Sequence, residues 1–593
     1  MAANPAAQEI RLEDRGASRR DAWALAAVTA AAVGLRFLSI SYRGSYLGWD
    51  EAMYLMLGRH LLEGQGYQLN GPPNITFPPL VPVIGGGVWL LTGSIRWALS
   101  APSALLGGLA VIPVFLLARR MFSRTAAFAA AVVFAGLRPL LFFSAFCWYK
   151  LRLYDGSEQI FLFIAAWALY FFWRSWQDKS ILFAALAGLA CGVGFLARQE
   201  ALALWGVLLA WLLVCALVLE KRLTLNLAGR IAAAAALFIA ASSPFFVFAH
   251  SVTGHFTFGP HLSHNVVVRD AFRQVYFYDE WRPFLRLYLS LNADNTDYEN
   301  TYYGVDPEHV KGLRREYSDA GLLKKLLVGT DPGAVKYWAK DMLLAFPWYL
   351  FAFAFVGLAG RPSREWLVKL LFLAAVAVPA LAIAATLIVL PRYDVYLGGL
   401  LAVFAGAGLQ KIGRFAARAA SAASAKVAAV SSVVATAVAL AGAAGIAAAG
   451  ARQVFAFNRS PAAQVHRERH IERMTPRIAA ELRRLGAAGS PVLCHDPQAV
   501  LYAGAVWLPL PMEDLDRIAA FARHRGARLM VLKSSDCAPS EESKPKAQRP
   551  FTFAEALART GLAKTAFRGK IDGEEVSILE ILRAGAADTA GAK

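Results

Sequence analysis

The chain has 593 residues, 57% of them hydrophobic and only 17% charged, and its mean hydropathy is +0.43. That is too apolar for a soluble protein of this size. The formal charge of +19 does not call for nucleic acid, because cytoplasmic loops of membrane proteins collect Lys and Arg and anionic lipid phosphates attract the excess.

Residues 1–21 form a basic arm with Arg11, Arg15, Arg19 and Arg20, a charge pattern that stays in the cytoplasm. Further spans follow, so the first apolar run reads as a membrane helix rather than a signal peptide. Apolar runs near 20 residues recur from Ala22 to Gly450, the length needed to cross a bilayer. The expected fold is a mostly α polytopic membrane protein with about eleven transmembrane helices over 22–450, followed by a small α/β soluble domain over 451–593.

Span one is expected at 22–40, and a long outer loop at 41–96 follows. Within that loop PPLVPVIGGGVWLLTG (78–93) is apolar but short and rich in Pro and Gly, which predicts an interfacial helix rather than a span. Leaving it out of the membrane puts span two at 97–117 and keeps Arg119, Arg120 and Arg124 inside. Spans three to seven then fall near 125–145, 158–173, 181–197, 200–219 and 231–250. A second long outer loop covers 251–337, and spans eight to eleven lie near 338–358, 367–390, 395–410 and 427–450. This threading keeps Arg174, Lys179, Lys221, Arg222, Arg361, Arg364, Lys369, Lys411, Arg414 and Arg418 on the cytoplasmic side, as the positive-inside bias requires.

The tail has helix-like patterns at 463–484 and 513–525 and strand-like runs at 492–494, 528–533, 563–568 and 575–582. It lies outside in this threading and carries no Gly-rich phosphate loop. Cys147, Cys191 and Cys215 lie in or beside spans and read as packing residues. Cys494 and Cys537 could pair in an oxidising compartment, but sequence does not give their separation.

The threading gathers acids and bases on one membrane surface: Asp50 and Glu51 in GWDEAMYL (48–55), Asp155 and Glu158 in KLRLYDGSE (150–158), Arg198 and Glu200 in FLARQEA (195–201), and PRYD (391–394). Charged residues at a bilayer edge are expensive unless solvated or paired, and they often mark a site. Such a set suits chemistry on a membrane-anchored substrate. In sugar transfer from a polyprenyl phosphate, a carboxylate takes the acceptor hydroxyl's proton, and Arg or Lys stabilises the charge of the departing phosphate. A single base with in-line attack inverts the anomeric carbon.

These segments resemble the GT-C superfamily of integral-membrane glycosyltransferases, in particular bacterial protein O-mannosyltransferases and aminoarabinose transferases. WDEAMYLMLGRHLLEGQGY (49–67) and FPPLVP (77–82) carry the resemblance most specifically. SEQIFLFIAAWALYFFWR (157–174), GFLARQEAL (194–202), DPGAVKYWAKDMLLAFPWYLF (331–351) and PRYDVYLGGLLAVFAG (391–406) extend it. The resemblance implies that Asp50 is the catalytic base with Glu51 shaping the site, and that Glu158, or else Asp155, is a second acidic site. Arg198 and Arg392 are candidates for the donor phosphate, and Tyr54 and Tyr393 for substrate contact. It further implies a polyprenyl-phosphate sugar donor, a lipid, glycan or protein acceptor, and an inner (plasma) membrane location with the site and tail on the extracytoplasmic side. Two departures stand out. Aminoarabinose transferases of this kind carry a Lys where this chain has Phe77, and the usual RYLLP run is RYDVY here.

No cofactor is demanded, although a divalent cation is compatible with the chemistry. His255, His261 and His264 lie in the second long loop without a strong metal-site spacing, and His466 and His470 lack the Glu of an HExxH site. Asn74 opens NIT, a glycosylation sequon that matters only in a eukaryotic secretory context. The alternative function is a transporter or flippase of lipid-linked saccharides, which predicts polar residues at mid-membrane and paired broken helices. Few charges fall inside the spans, and Arg36 is expected near a span end.

Overall fold

The computed structural model describes residues 19–41, 47–69, 73–137, 140–141, 156–254, 346–386, 395–423, 430–458, 474–511, 515–533, 562–571 and 574–582, with isolated positions between 291 and 343. In chain order the helices are α1 (Arg19–Ser41), α2 (Trp49–Leu62), α3 (Leu80–Thr92), α4 (Ile95–Ala98), α5 (Ser100–Leu109), α6 (Val111–Met121), α7 (Arg124–Gly136), α8 (Ser157–Asp178) and α9 (Ile181–Ala197). After them come α10 (Glu200–Val214), which ends in a π-helical turn at Cys215–Glu220, then α11 (Leu225–Thr253), α12 (Trp348–Leu358), α13 (Arg364–Thr386), α14 (Val395–Ala423) and α15 (Ser431–Asn458). The tail holds α16 (Thr475–Arg484), β1 (Pro491–Cys494), α17 (Pro497–Ala503), β2 (Val506–Pro509), α18 (Leu515–His524), β3 (Leu529–Lys533), β4 (Ala563–Ile571) and β5 (Glu574–Ile581).

A described helix overlaps each of the eleven expected spans. Among the described residues, six helical stretches are long and apolar enough to cross a membrane: 19–41, 95–121, 200–220, 225–252, 396–422 and 431–456. The chain divides into two compact units. One comprises 1–43, 100–245 and 330–459, the other 44–99, 246–329 and 460–593. The first collects the membrane helices, and the second collects both long loops and the tail.

In the first unit, basic residues do structural work at helix ends. Lys179 and Lys221 close α8 and the π turn in the left-handed conformation, with φ of 53° and 52°. Lys179 pairs with Glu220, and Arg364 reaches the same carboxylate at 3.6 Å. The span expected at 395–410 extends as α14 through Lys411, Arg414 and Arg418, because the Ala-rich sequence there favours helix past the apolar segment. Lys411 Nζ then donates to the carbonyls of Val356 (3.1 Å) and Gly357 (2.7 Å) at the C-terminus of α12, where a cation is favoured. Arg36, expected near a span end, lies toward the C-terminal end of α1. It is fully buried, donates to the carbonyls of Ala32 (3.1 Å) and Ala135 (3.5 Å), and lies 5.6 Å from the Phe134 ring centre.

In the second unit, α3 is the short helix expected from 78–93. It packs so closely on α2 that Gly58 and Gly86 face each other's backbones. The tail forms a five-stranded sheet of order β2-β1-β3-β5-β4. β1 runs parallel to β2 and β3, while β5 is antiparallel to both β3 and β4. β3 is buried along its whole length, as a central strand covered on both faces must be. β1, β3, β4 and β5 lie where alternation places strands. β2 and α17 have no counterpart among the expected elements. Lys533, the last residue of β3, is buried and ion-paired with Asp496, which precedes α17. Cys191 and Cys215 are buried, as packing residues would be. Cys147 and Cys537 lie outside the described residues, so the Cys494–Cys537 pairing does too.

Candidate active site

α2 begins at a sequence built for a helix start. Gly48 is extended at the cap (φ −68°, ψ 159°), and Asp50 and Glu51 occupy the first turn. Their negative charges sit on the positive end of the helix dipole. Glu51 reaches back so that the Gly48 N–H donates to its Oε2 at 3.1 Å, one half of a capping box. Asp50 and Glu51 are buried, at 7% and 0% exposure. A buried carboxylate is stabilised where hydrogen bonds replace water, and for Glu51 the Gly48 N–H supplies one.

One turn further on, Tyr54 is buried and meets Phe77 edge to face, with ring centres 5.0 Å apart. Phe77 is thus fixed by packing rather than reaching for solvent. Its carbonyl accepts from the Tyr67 hydroxyl at 2.8 Å, and burial pushes the Tyr67 phenol well above its usual range. Asn74 Oδ1 accepts from the amides of Thr76 and Phe77, both at 3.1 Å, an Asx turn that shapes the entry to α3. Asn74 is 1% exposed, so this sequon serves the fold. Tyr67 and Asn74 thus both hydrogen-bond to the backbone of Phe77, whose ring meets Tyr54. Only the Gly-Tyr turn and FPP of the sequence hinted at this arrangement.

The second group lies in the first unit. Glu158 stands in the first turn of α8 after Gly156, whose φ of 77° is open to glycine. Arg198, just past α9, approaches Glu158 Oε1 at 3.6 Å. It also donates to Ser157 Oγ (2.6 Å) and Glu200 Oε1 (2.7 Å). The acids and the Arg of SE and RQE, 40 residues apart in sequence, thus make one buried cluster in which a guanidinium serves two carboxylates. Charge pattern put these residues on one surface, but it did not reveal their direct pairing or the part of Ser157. Asp155, Arg392 and Tyr393 lie outside the described residues, as do His255, His261, His264, His466 and His470. Among the described residues no three His, Cys, Asp or Glu side chains come together to hold a metal ion.

Residues 76–248 match the family model described as dolichyl-phosphate-mannose-protein mannosyltransferase. The whole fold is similar to that of ArnT from Cupriavidus metallidurans, in a crystal structure bound to undecaprenyl phosphate. The TM-score is 0.57 at 16% identity, over 93% of this chain and 97% of that one. The chain shares the fold of that protein. A second similar structure is the archaeal oligosaccharyltransferase AglB from Archaeoglobus fulgidus, in complex with an inhibitory peptide and a dolichol-phosphate. Its TM-score is 0.53 at 15% identity, covering 87% of this chain and 70% of that one. At such identities these two likenesses establish the fold and nothing of the activity or substrates. Comparison with curated protein sequences gives no significant match.

Proposed function

We propose that this chain is a glycosyltransferase that moves a sugar from a polyprenyl-phosphate donor to a lipid, glycan or protein acceptor, with inversion, on the extracytoplasmic face of the inner (plasma) membrane. The observation that carries the reading is the buried acidic turn of α2, with Asp50 and Glu51 at a helix N-terminus backed by Tyr54 and Phe77. Similar proteins bound to undecaprenyl phosphate and dolichol-phosphate support the donor class.

In this reading the acceptor oxygen attacks the anomeric carbon and its proton passes to the Asp50 carboxylate. The bond from that carbon to the phosphate oxygen breaks, and the lipid phosphate leaves with its electron pair. Glu51 is committed to the Gly48 amide and holds the turn that presents Asp50. A lipid phosphate is already a good leaving group, so one base suffices. Arg198 and Arg392 are candidates to meet the phosphate. For Arg198 that role requires the phosphate to share the guanidinium with Glu158 and Glu200. Phe77, packed on Tyr54 where aminoarabinose transferases of similar pattern have a Lys, argues for a different sugar.

The test is transfer by reconstituted protein from a panel of labelled polyprenyl-phosphate sugars, with membrane extract supplying acceptors. Wild type should label a product and Asp50→Asn should not, at unchanged melting temperature. Equal labelling by both would remove Asp50 from the reaction.

A further inference from the structure

One link between the tail and the acidic turn runs through a peptide group. Gln498 lies in the first turn of α17, and its Nε2 donates to the Leu47 carbonyl at 3.2 Å. The N–H of that same peptide unit belongs to Gly48, and it donates to Glu51 Oε2 at 3.1 Å. A continuous chain therefore runs from the Gln498 amide through Leu47 C=O and Gly48 N–H to the Glu51 carboxylate. Hydrogen bonds on the two ends of one amide polarise each other, so each strengthens the other.

The Gln498 end is itself fixed. Asp496, which caps α17, is ion-paired with Lys533 at the end of β3, and Lys533 is 4% exposed. Only the NH₂ end of Gln498 can face a carbonyl, which sets the orientation of the amide. A second tie comes from α18, where Arg517 donates to the Leu291 carbonyl of the other long loop at 2.9 Å.

We propose that Gln498 is a positioning residue for the acidic pair: the C-terminal domain orients the first turn of α2 through the Leu47–Gly48 peptide. The inference rests on the transferase reading for its effect on rate, but not for its geometry. It also gives the tail a task other than acceptor binding. Without the Gln498 donor the peptide plane can rotate, the Gly48–Glu51 bond loosens, and Asp50 two residues into the helix loses its fixed direction.

Two variants of the full chain test it, read by two independent measurements. Gln498→Met keeps length and shape but has no donor, whereas Gln498→Lys keeps a long donor. Hydrogen exchange of the peptide spanning Leu47–Ala52 should speed up in Gln498→Met and return toward wild type in Gln498→Lys. In transfer assays Gln498→Met should lower kcat about fivefold, the effect of one ordinary hydrogen bond, with KM for the lipid donor unchanged. Gln498→Lys should recover most of that rate. Unchanged exchange in Gln498→Met would overturn the proposal, as would equal losses in both variants or a change confined to KM. If wild type itself transfers no sugar, the transferase reading fails, and the exchange result alone decides whether the tie orients the turn.

Discussion

Gly58→Ala sets two well-known effects against each other. Ala is the better helix former, by about 1 kcal/mol over Gly in a helix interior, so propensity alone makes the variant more stable. Packing gives the opposite sign. A Cβ at Gly58 would stand 1.8 Å from the Pro82 carbonyl oxygen, 2.5 Å from its carbon and 3.1 Å from the Gly86 Cα. A carbon–oxygen contact needs about 3.3 Å, so α2 and α3 must part by roughly 1.5 Å at this crossing. The obstructing atoms are backbone, which cannot turn aside as a side chain does. Overpacking of this kind costs about 1–3 kcal/mol, and the upper end applies here. The net expectation is a loss of about 2 kcal/mol after the propensity gain. Gly87→Ala is the control, because its added Cβ meets only Leu62 Cδ1 at 3.9 Å. It should be neutral or slightly stabilising. Denaturant titration in mixed micelles reads both variants, and transfer assays should show Gly58→Ala slowed as well, since α2 carries Asp50 about 12 Å away along the helix. A Gly58→Ala protein as stable as wild type would refute the close α2–α3 crossing.

Three further outcomes follow from the site's buried groups. Arg198→Met takes from Glu158, 1% exposed, the guanidinium 3.6 Å away, a change of the class that costs about 3–5 kcal/mol. Adding Glu158→Gln should restore much of that loss, and a double-mutant cycle of melting curves showing strict additivity would deny the pair. Tyr67 is held protonated in the fold, whereas in the unfolded chain it ionises near pH 10. The unfolded state therefore releases its proton first, so this contribution is intact below about pH 10 and falls by about 1.4 kcal/mol per pH unit above it. Tyr67→Phe should lose about 1 kcal/mol at pH 7, from the missing bond to the Phe77 carbonyl. Its alkaline melting curve should be correspondingly flatter than wild type. Asn74, buried and tied to two backbone amides, should remain unmodified when the protein is expressed through a eukaryotic secretory route. Intact-mass spectrometry checks this, and a glycan on Asn74 would mean that the turn opens.

The membrane part was legible because its signal is redundant. Runs near 20 apolar residues predict helices, and a described helix overlaps each of them. The Pro- and Gly-rich 78–93 segment read as a short helix for the same reason, being too short to span. What stayed hidden is contact between distant residues, which leaves no periodic trace. Arg198 and Glu158 were each noticed as edge charges, yet their pairing depends on how α8 and α9 pack. The Gln498–Leu47 bond joins positions 451 residues apart, and nothing in PQAVLYA marks its Gln. The partners of Arg36 left no trace either, since only its place near a span end could be read. The packing of α1 against α7 closes over it and offers the Ala135 carbonyl.

Arg36 also bears on whether this fold moves a substrate through the membrane or works on one at its surface. A carrier needs intramembrane polar groups that face a path and exchange partners between states. The Arg36 guanidinium instead binds carbonyls of α1 and α7 and packs on the Phe134 ring, which ties two helices together. Around it the backbones lie too close to slide freely. A Cβ at Gly108 would strike the Val33 backbone of α1 at 2.8 Å, and one at Gly136 would strike the Ala447 backbone of α15 at 2.4 Å. Interfaces of this kind are bistable at best, not continuously deformable. The acids of the candidate site stand in first turns, Asp50 and Glu51 on α2, Glu158 on α8 and Glu200 on α10. That arrangement suits a static helical frame that holds charged groups at its ends, as surface chemistry on a lipid-borne sugar requires.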